Sequence, residues 1–291
     1  METIYLSEDP ITSPIDRKRC VMALGYFDGV HLGHRKVILT AKEIAMKIGA
    51  ELSVMTFSPH PKEVLRNGKE TVCYLMPIVE KAKIMERLGV DKLYVVKFDM
   101  TFAGMSPREF VDRYLIPLQT DHVVIGFDFN YGFRGNGDAN TLKSDGMGKF
   151  QVTIVPKVKS NGQKISSTLI RSLLKSGDVH QVAPLLGDYY RTHGEVKILK
   201  RFWITPRVQV VFLPYQHYTL PGPGRYIVRV ESNDQTMTGI AQVEPNEYSQ
   251  LIATLDLFLQ TNLQFFSQSI YVEWVMQLPI ADNRSGSAYG I

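Results

Sequence analysis

The stretch Gly25-Tyr26-Phe27-Asp28-Gly29-Val30-His31-Leu32-Gly33-His34 decides how this chain is read, because the apolar run CVMALGYF (20–27) leads into it and a segment of helical period, about 33–48, leaves it. An apolar run passing through a glycine-bearing turn into an amphipathic helix is the signature of a strand-to-helix junction. In a doubly wound sheet that junction binds ligands, since helix N-terminal N–H groups and the helix dipole converge there on an anion. Gly29 and Gly33 would let the backbone approach a phosphate closely. His31 and His34, three residues apart, can face one way across the first turn and donate hydrogen bonds to a polyphosphate. Two other readings stand beside this one. The turn could carry two incidental histidines, or the pair could bind a metal, although no third carboxylate or thiol sits at a familiar spacing.

Working outward, short apolar runs alternate with helical segments: ELSVMTF (51–57), KLYVVKF (92–98), HVVIGF (122–127) and FQVTIVP (150–156) follow CVMALGYF. This gives five strands in an α/β arrangement, a parallel sheet wrapped by helices. Helices are expected near 78–88 and from Ser106-Pro107, where a capping side chain, a proline at the first helical position and Glu109 in the first turn coincide. Another should open at Ser166-Ser167 and close at Gly177, while Asn67-Gly68 and Asn161-Gly162 mark turns. Near Gly187 the character changes. RVQVVFL, GRYIVRV, MTGIAQV, IATLDLFL and SIYVEWVM read as strands separated by turn signals such as LPGPG, which predicts a small, mostly antiparallel, barrel-like β domain. The expected domains are 1–187 and 188–291.

Composition sets outer bounds. A length of 291 residues suits two domains, and 44% hydrophobic with 21% charged residues is a globular balance. The net charge of +4, without long Lys/Arg runs, offers no stripe for nucleic acid. Cys20 and Cys73 have no paired spacing and read as reduced thiols. METIYLSEDP lacks the apolar core of a secretory signal, and no apolar run approaches the roughly 20 residues of a membrane span, so the expectation is a cytoplasmic protein.

Three further segments carry chemistry. KISSTLIR (164–171) sets Ser166, Ser167 and Thr168 at a helix start with Arg171 one turn later, either a good cap or a second anion cradle. TFSPHP (56–61) and GFDFNYGFRGNGD (126–138) each follow an expected strand, so both lie at the carboxyl edge of the sheet beside the first turn. Phe57, Pro59, His60, Pro61, Phe129 and Tyr131 offer apolar faces to a flat ring, and Asp128 and Asn130 can bond its polar edge. A buried aromatic cluster is the other reading, and the interleaved polar residues favour a ligand.

The histidine-x-glycine-histidine turn with a late ISSTxIR resembles the nucleotidyltransferase superfamily. With TFSPHP and GFDFNYGFRGNGD in order, residues 15 to 187 are similar to the FAD synthetase module of the bifunctional riboflavin kinase/FMN adenylyltransferase family. The resemblance implies a Rossmann-like nucleotidyltransferase domain and transfer of AMP from Mg-ATP to FMN, giving FAD and pyrophosphate. It implies catalytic roles for His31, His34 and Arg171. ATP contacts fall to Gly25, Phe27, Asp28, Gly29, Gly33, Ser166, Ser167 and Thr168. FMN contacts fall to Phe57, Pro59, His60, Pro61, Asp128, Phe129, Asn130 and Tyr131. Mg2+ would bridge the phosphates, with no protein ligand assigned to it.

GEVKILKR, LPGPGRYIVRV and GIAQV resemble the riboflavin-kinase barrel, yet the family's Gly-Phe-Pro-Thr-Ala-Asn segment is replaced by FWITPRVQV (202–210). The family's glutamate base is missing from IATLDLFL, which offers only Asp256. Ile291 follows soon after the last expected strand, where relatives usually continue into a helix. The expectation is an FMN adenylyltransferase without kinase activity. The alternatives are a fully bifunctional enzyme and a flavin- or nucleotide-binding regulator that uses the barrel, with Phe202 and Trp203, on a protein partner not yet identified.

Overall fold

The computed structural model describes residues 1–7, 18–65, 72–202, 207–215, 218–233, 235–246, 251–258 and 268–279. The chain divides into two compact units, Met1–Ser167 and Thr168–Ile291.

In the first unit, strands β1 (Glu2–Leu6), β2 (Cys20–Leu24), β3 (Glu51–Ser58), β4 (Lys92–Lys97), β5 (Thr120–Gly126) and β6 (Gln151–Val155) form one parallel sheet in the order β1-β4-β3-β2-β5-β6. The five expected strands are all present, and β1 is a sixth. It was missed because ETIYL is a short edge segment with an exposed Tyr5 and no continuous apolar run. The chain steps from β2 through β3 to β4 on one side and to β5 and β6 on the other, so the sheet's switch point lies at β2 and β5.

Helices α1 (Leu32–Ile48), α2 (Pro61–Leu65), α3 (Ile78–Arg87), α4 (Met100–Ala103), α5 (Pro107–Phe110) and α6 (Ala139–Asp145) connect these strands. Alternation along β2 sends Val21 and Ala23 into a core with Val37, Ile38 and Met85. It sends Met22 and Leu24 to the other face with Phe110, Tyr114 and Tyr131. Ser106 and Glu109 form a reciprocal capping box at α5, which continues as a π-helical turn over Val111–Leu115. The hairpin of β7 (Lys159–Ser160) and β8 (Gln163–Lys164) turns at Asn161-Gly162, both with positive φ, as a tight two-residue hairpin requires. Asn67-Gly68 lies outside the described residues.

The helix expected at Ser166-Ser167 is α7 (Ser167–Ser176), which ends at Gly177 with φ 88°, and α8 (Val179–Leu186) follows. In the second unit, β9 (Tyr190–Phe202), β10 (Arg207–Pro214), β11 (Gly224–Ser232), β12 (Gln235–Pro245), β13 (Leu251–Phe258) and β14 (Ser269–Gln277) close into an antiparallel barrel. Every second residue points inward, giving an interior that includes Phe212, Tyr226, Val228 and Trp274. Trp274 Nε1 donates to Thr192 Oγ1 at 3.0 Å, so the indole and the buried hydroxyl satisfy each other. Trp203 and Pro206 lie outside the described residues.

Candidate active site

The turn between β2 and α1 is held in an uncommon backbone conformation. Phe27, Gly29 and Val30 have φ of 51°, 79° and 39°, and two of these are not glycine. For Phe27 and Val30 such geometry costs on the order of 1–3 kcal/mol each and persists only where its surroundings fix it. They do so from several sides. The Asp28 carboxylate accepts from the N–H groups of Leu75 (3.3 Å) and Met76 (3.1 Å). The Asp28 carbonyl accepts from Ser167 Oγ at 3.0 Å, which ties the ISST segment to the back of the first turn. The Tyr26 carbonyl accepts from Thr56 Oγ1 (2.9 Å) and from the Lys81 ammonium (2.7 Å). Gly33 has a different reason to be glycine: a Cβ there would stand 3.1 Å from the His31 ring.

His31 is the N-cap of α1, and its Nδ1 accepts from the His34 N–H at 3.2 Å. Because a neutral imidazole carries one proton, Nε2 of His31 is the N–H donor. The two rings stack, with centroids 3.6 Å apart and planes within 15°. Phe27 meets His34 edge-on at 5.3 Å. Burial lowers the pKa of His31 to about 4, against a weaker opposing effect of its own backbone hydrogen bond and of Asp28. Burial, then the charges of His31 and Lys81, push His34 well below the ordinary histidine range. The His34 Nδ1 is buried without a hydrogen-bond partner among the described residues.

Beside the turn opens a cavity of about 840 Å³. Gly25, Phe27 and His34 of the first motif line it, as do Phe57 and Pro61 of the second. Asp128, Phe129, Asn130 and Tyr131 supply a further wall. Phe129 and Tyr131 stack at 5.9 Å, and the Tyr131 hydroxyl is anchored on Asp145 at 3.1 Å. Asp128 is paired with Lys164 at 2.5 Å. A mostly apolar cleft of this size with a few polar groups suits one flat, drug-sized ligand.

Not every expected residue lies on this wall. Pro59 and His60 are absent from it; the His60 ring packs edge-on against Tyr26 at 4.7 Å, and its Nδ1 accepts from the Lys62 N–H. His31, Asp28, Gly29 and Gly33 build the turn rather than the cavity surface, and Ser166 and Ser167 stand at the segment tied to Asp28. Thr168 and Arg171 lie on α7 in the second unit. Phe98, Phe102, Met105 and Arg134 line the cavity without having been singled out in the sequence. The signal for Phe98 was available, since KLYVVKF ends at the same carboxyl edge as the other motifs. Lys81, buried beneath the turn, carried no signal, because a lysine on an amphipathic helix reads as solvent-facing.

A parallel sheet with a strained, histidine-bearing turn beside an aromatic cleft at its switch point defines a nucleotide-handling α/β protein. The chain belongs to the FAD synthetase family, whose model matches residues 13–169, more than half of the chain. It is 38% identical over 282 residues to a bifunctional riboflavin kinase/FMN adenylyltransferase of Listeria monocytogenes, covering 94% of this chain and 88% of that protein. It is also 38% identical to the protein of that name from Bacillus subtilis, covering 96% and 90%. A Listeria monocytogenes FAD synthetase is 32% identical, covering 86% and 91%. A crystal structure described as a macrolide-efflux protein from Streptococcus pneumoniae superposes with TM-score 0.82 at 27% identity, covering 96% and 91% of the two chains. Among the described residues no helix is long and apolar enough to cross a membrane.

Proposed function

We infer that the chain is an FMN adenylyltransferase that joins AMP from ATP to FMN, releasing pyrophosphate. The observation that carries this is the convergence of three motifs, far apart in sequence, on one aromatic cleft beside two stacked imidazoles. An FMN phosphate oxygen forms the new bond to the α phosphorus of ATP, the α–β bridging bond breaks, and pyrophosphate leaves with its electron pair. A phosphate monoester, with a second pKa of about 6, is already mostly dianionic near neutrality, so no strong base is required. Orientation and charge neutralisation do the rest.

In this reading the His31 Nε2–H donates to the phosphate chain, and the unpartnered His34 Nδ1 supplies a second polar position beside it. Ser166, Ser167, Thr168 and Arg171 hold the outer phosphates in this reading, and the bond from Ser167 Oγ to the Asp28 carbonyl sets the start of that segment against the turn. Phe57, Pro61, Phe129 and Tyr131 form the walls for the flavin ring. Pro59 and His60, which flank Pro61 in the same segment, are its remaining expected flavin contacts, and the His60 ring packs on Tyr26 of the cavity lining.

The described residues contain no cluster of three or more His, Cys, Asp or Glu side chains able to cage a cation. In this reading Mg2+ enters with the triphosphate, as an ion that keeps waters and takes few protein oxygens, and no protein ligand is assigned to it. Once bound there, the ion neutralises charge on the phosphate oxygens.

Residues 1–187 form the transferase module and 188–291 a barrel without kinase chemistry. The one acid on the relevant strand, Asp256, is bound by both Nε and Nη2 of Arg207, which leaves it poorly suited to act as a base.

Incubating the protein with FMN, ATP and Mg2+ should give FAD and pyrophosphate by chromatography. His31→Ala should lower turnover by about 10²- to 10³-fold, as loss of one preorganised donor does, with folding intact by circular dichroism. Wild-type FAD output from that variant would remove the histidine from the mechanism.

A further inference from the structure

Lys81 is buried, at 3% exposure, on α3 beneath the histidine turn. Its ammonium donates to the Tyr26 carbonyl at 2.7 Å, reaches Thr56 Oγ1 at 3.4 Å and stands 4.7 Å over the Tyr26 ring. Neither hydrogen-bond partner is a carboxylate. A lysine head withdrawn from water in this way costs several kcal/mol unless something compensates it, and Thr56 Oγ1 already donates to the same carbonyl. A neutral donor would serve a purely structural bond to Tyr26. A charge placed one residue from the strained segment Phe27–Val30 does more, because in a low-dielectric interior it acts on anions bound at the turn and disfavours protonation of His34.

We propose that Lys81 is a positioning residue for adenylyl transfer, its ammonium pinning the Tyr26 carbonyl so that the strained turn holds both imidazoles in place and keeps a fixed positive charge beneath the triphosphate. This rests on the reading of the turn as the phosphate site. The groups facing the ammonium are Tyr26 and Asp28 from the turn, His34 from α1 and Thr56 from β3. The Tyr26 phenol is held by burial far above its ordinary value, and His34 is neutral well below neutrality, so neither changes charge on the mildly alkaline side. Burial lowers Lys81 itself to about 8, opposed by Asp28.

The test compares wild type, Lys81→Met and His34→Ala for FAD formation, for FMN affinity by quenching of flavin fluorescence, and for thermal unfolding. Methionine matches the lysine stem without the charge. Lys81→Met should lower kcat about 10- to 100-fold, the effect of a misplaced catalytic group, while FMN affinity and the unfolding temperature stay near wild type. Wild-type kcat/KM for ATP should fall above about pH 8, and the variant should lack that limb. Unchanged kcat in Lys81→Met with an impaired His34→Ala overturns the role of Lys81 alone. Full turnover in His34→Ala overturns the phosphate-site reading and the proposal with it. If Lys81→Met does not fold, the wild-type profile decides, and a flat profile from pH 7 to 9.5 overturns the proposal.

Discussion

Two imidazoles stacked at the head of α1 are buried as neutral groups, and this links the active turn to acid stability. His31 has a folded-state pKa of about 4 against 6.5 for an unperturbed histidine. Between those values the unfolded chain binds more protons than the folded one. The stabilisation is therefore complete above pH 6.5 and is lost progressively as the pH falls toward 4, with His34 acting in the same direction. The shift corresponds to roughly 3 kcal/mol at most for His31. Denaturant midpoints measured from pH 7 down to 4 should decline more steeply in wild type than in His31→Gln. Parallel curves would show that the imidazole is not held neutral. The residues that the sequence made legible here were those whose chemistry is rare at such a turn. Lys81 was illegible because its burial depends on Tyr26 and Thr56, which only the fold brings to it.

At the scale of elements, α1 carries a conflict between helix preference and the site. Gly33 lies in the first turn of α1, where alanine would favour the helix by up to about 1 kcal/mol. The added Cβ would stand 3.1 Å from the His31 ring, tighter than ordinary contact. Gly33→Ala should therefore lose turnover by tenfold or more, on the order expected when a catalytic group is displaced, with little or no loss in unfolding temperature. A parallel loss of both would point to a collapsed helix start instead. The glycine was legible in sequence as a point of close approach, but the close neighbour is an imidazole of the same turn. Elements with strong periodicity, such as α1 and the barrel strands β10 to β14, were legible, whereas the long first barrel strand β9 was not read as a strand from its own pattern. The edge strand β1 was not, because pairing on one side only leaves it little apolar pattern.

For the whole molecule, the contrast lies between a first unit in which three motifs line one cleft and a barrel whose sequence differs from the expected kinase segment. The relatives that match over nearly the full chain are named as bifunctional. In this chain the FWITPRVQV segment lacks the Thr-Ala-Asn of the kinase pattern, and Asp256 is locked to Arg207, with Phe202 and Phe258 packed about the guanidinium. Riboflavin with ATP should give no FMN under conditions in which FMN with ATP gives FAD. FMN formed at a comparable rate would restore the second activity. The barrel's closure has a consequence of its own. With β9 and β10 zipped together as the last seam of the cylinder, its described strands leave no border with free amides and carbonyls to recruit another chain by lateral β-addition. Strand pairing is therefore not the means by which the described wall of this cylinder would hold a second polypeptide.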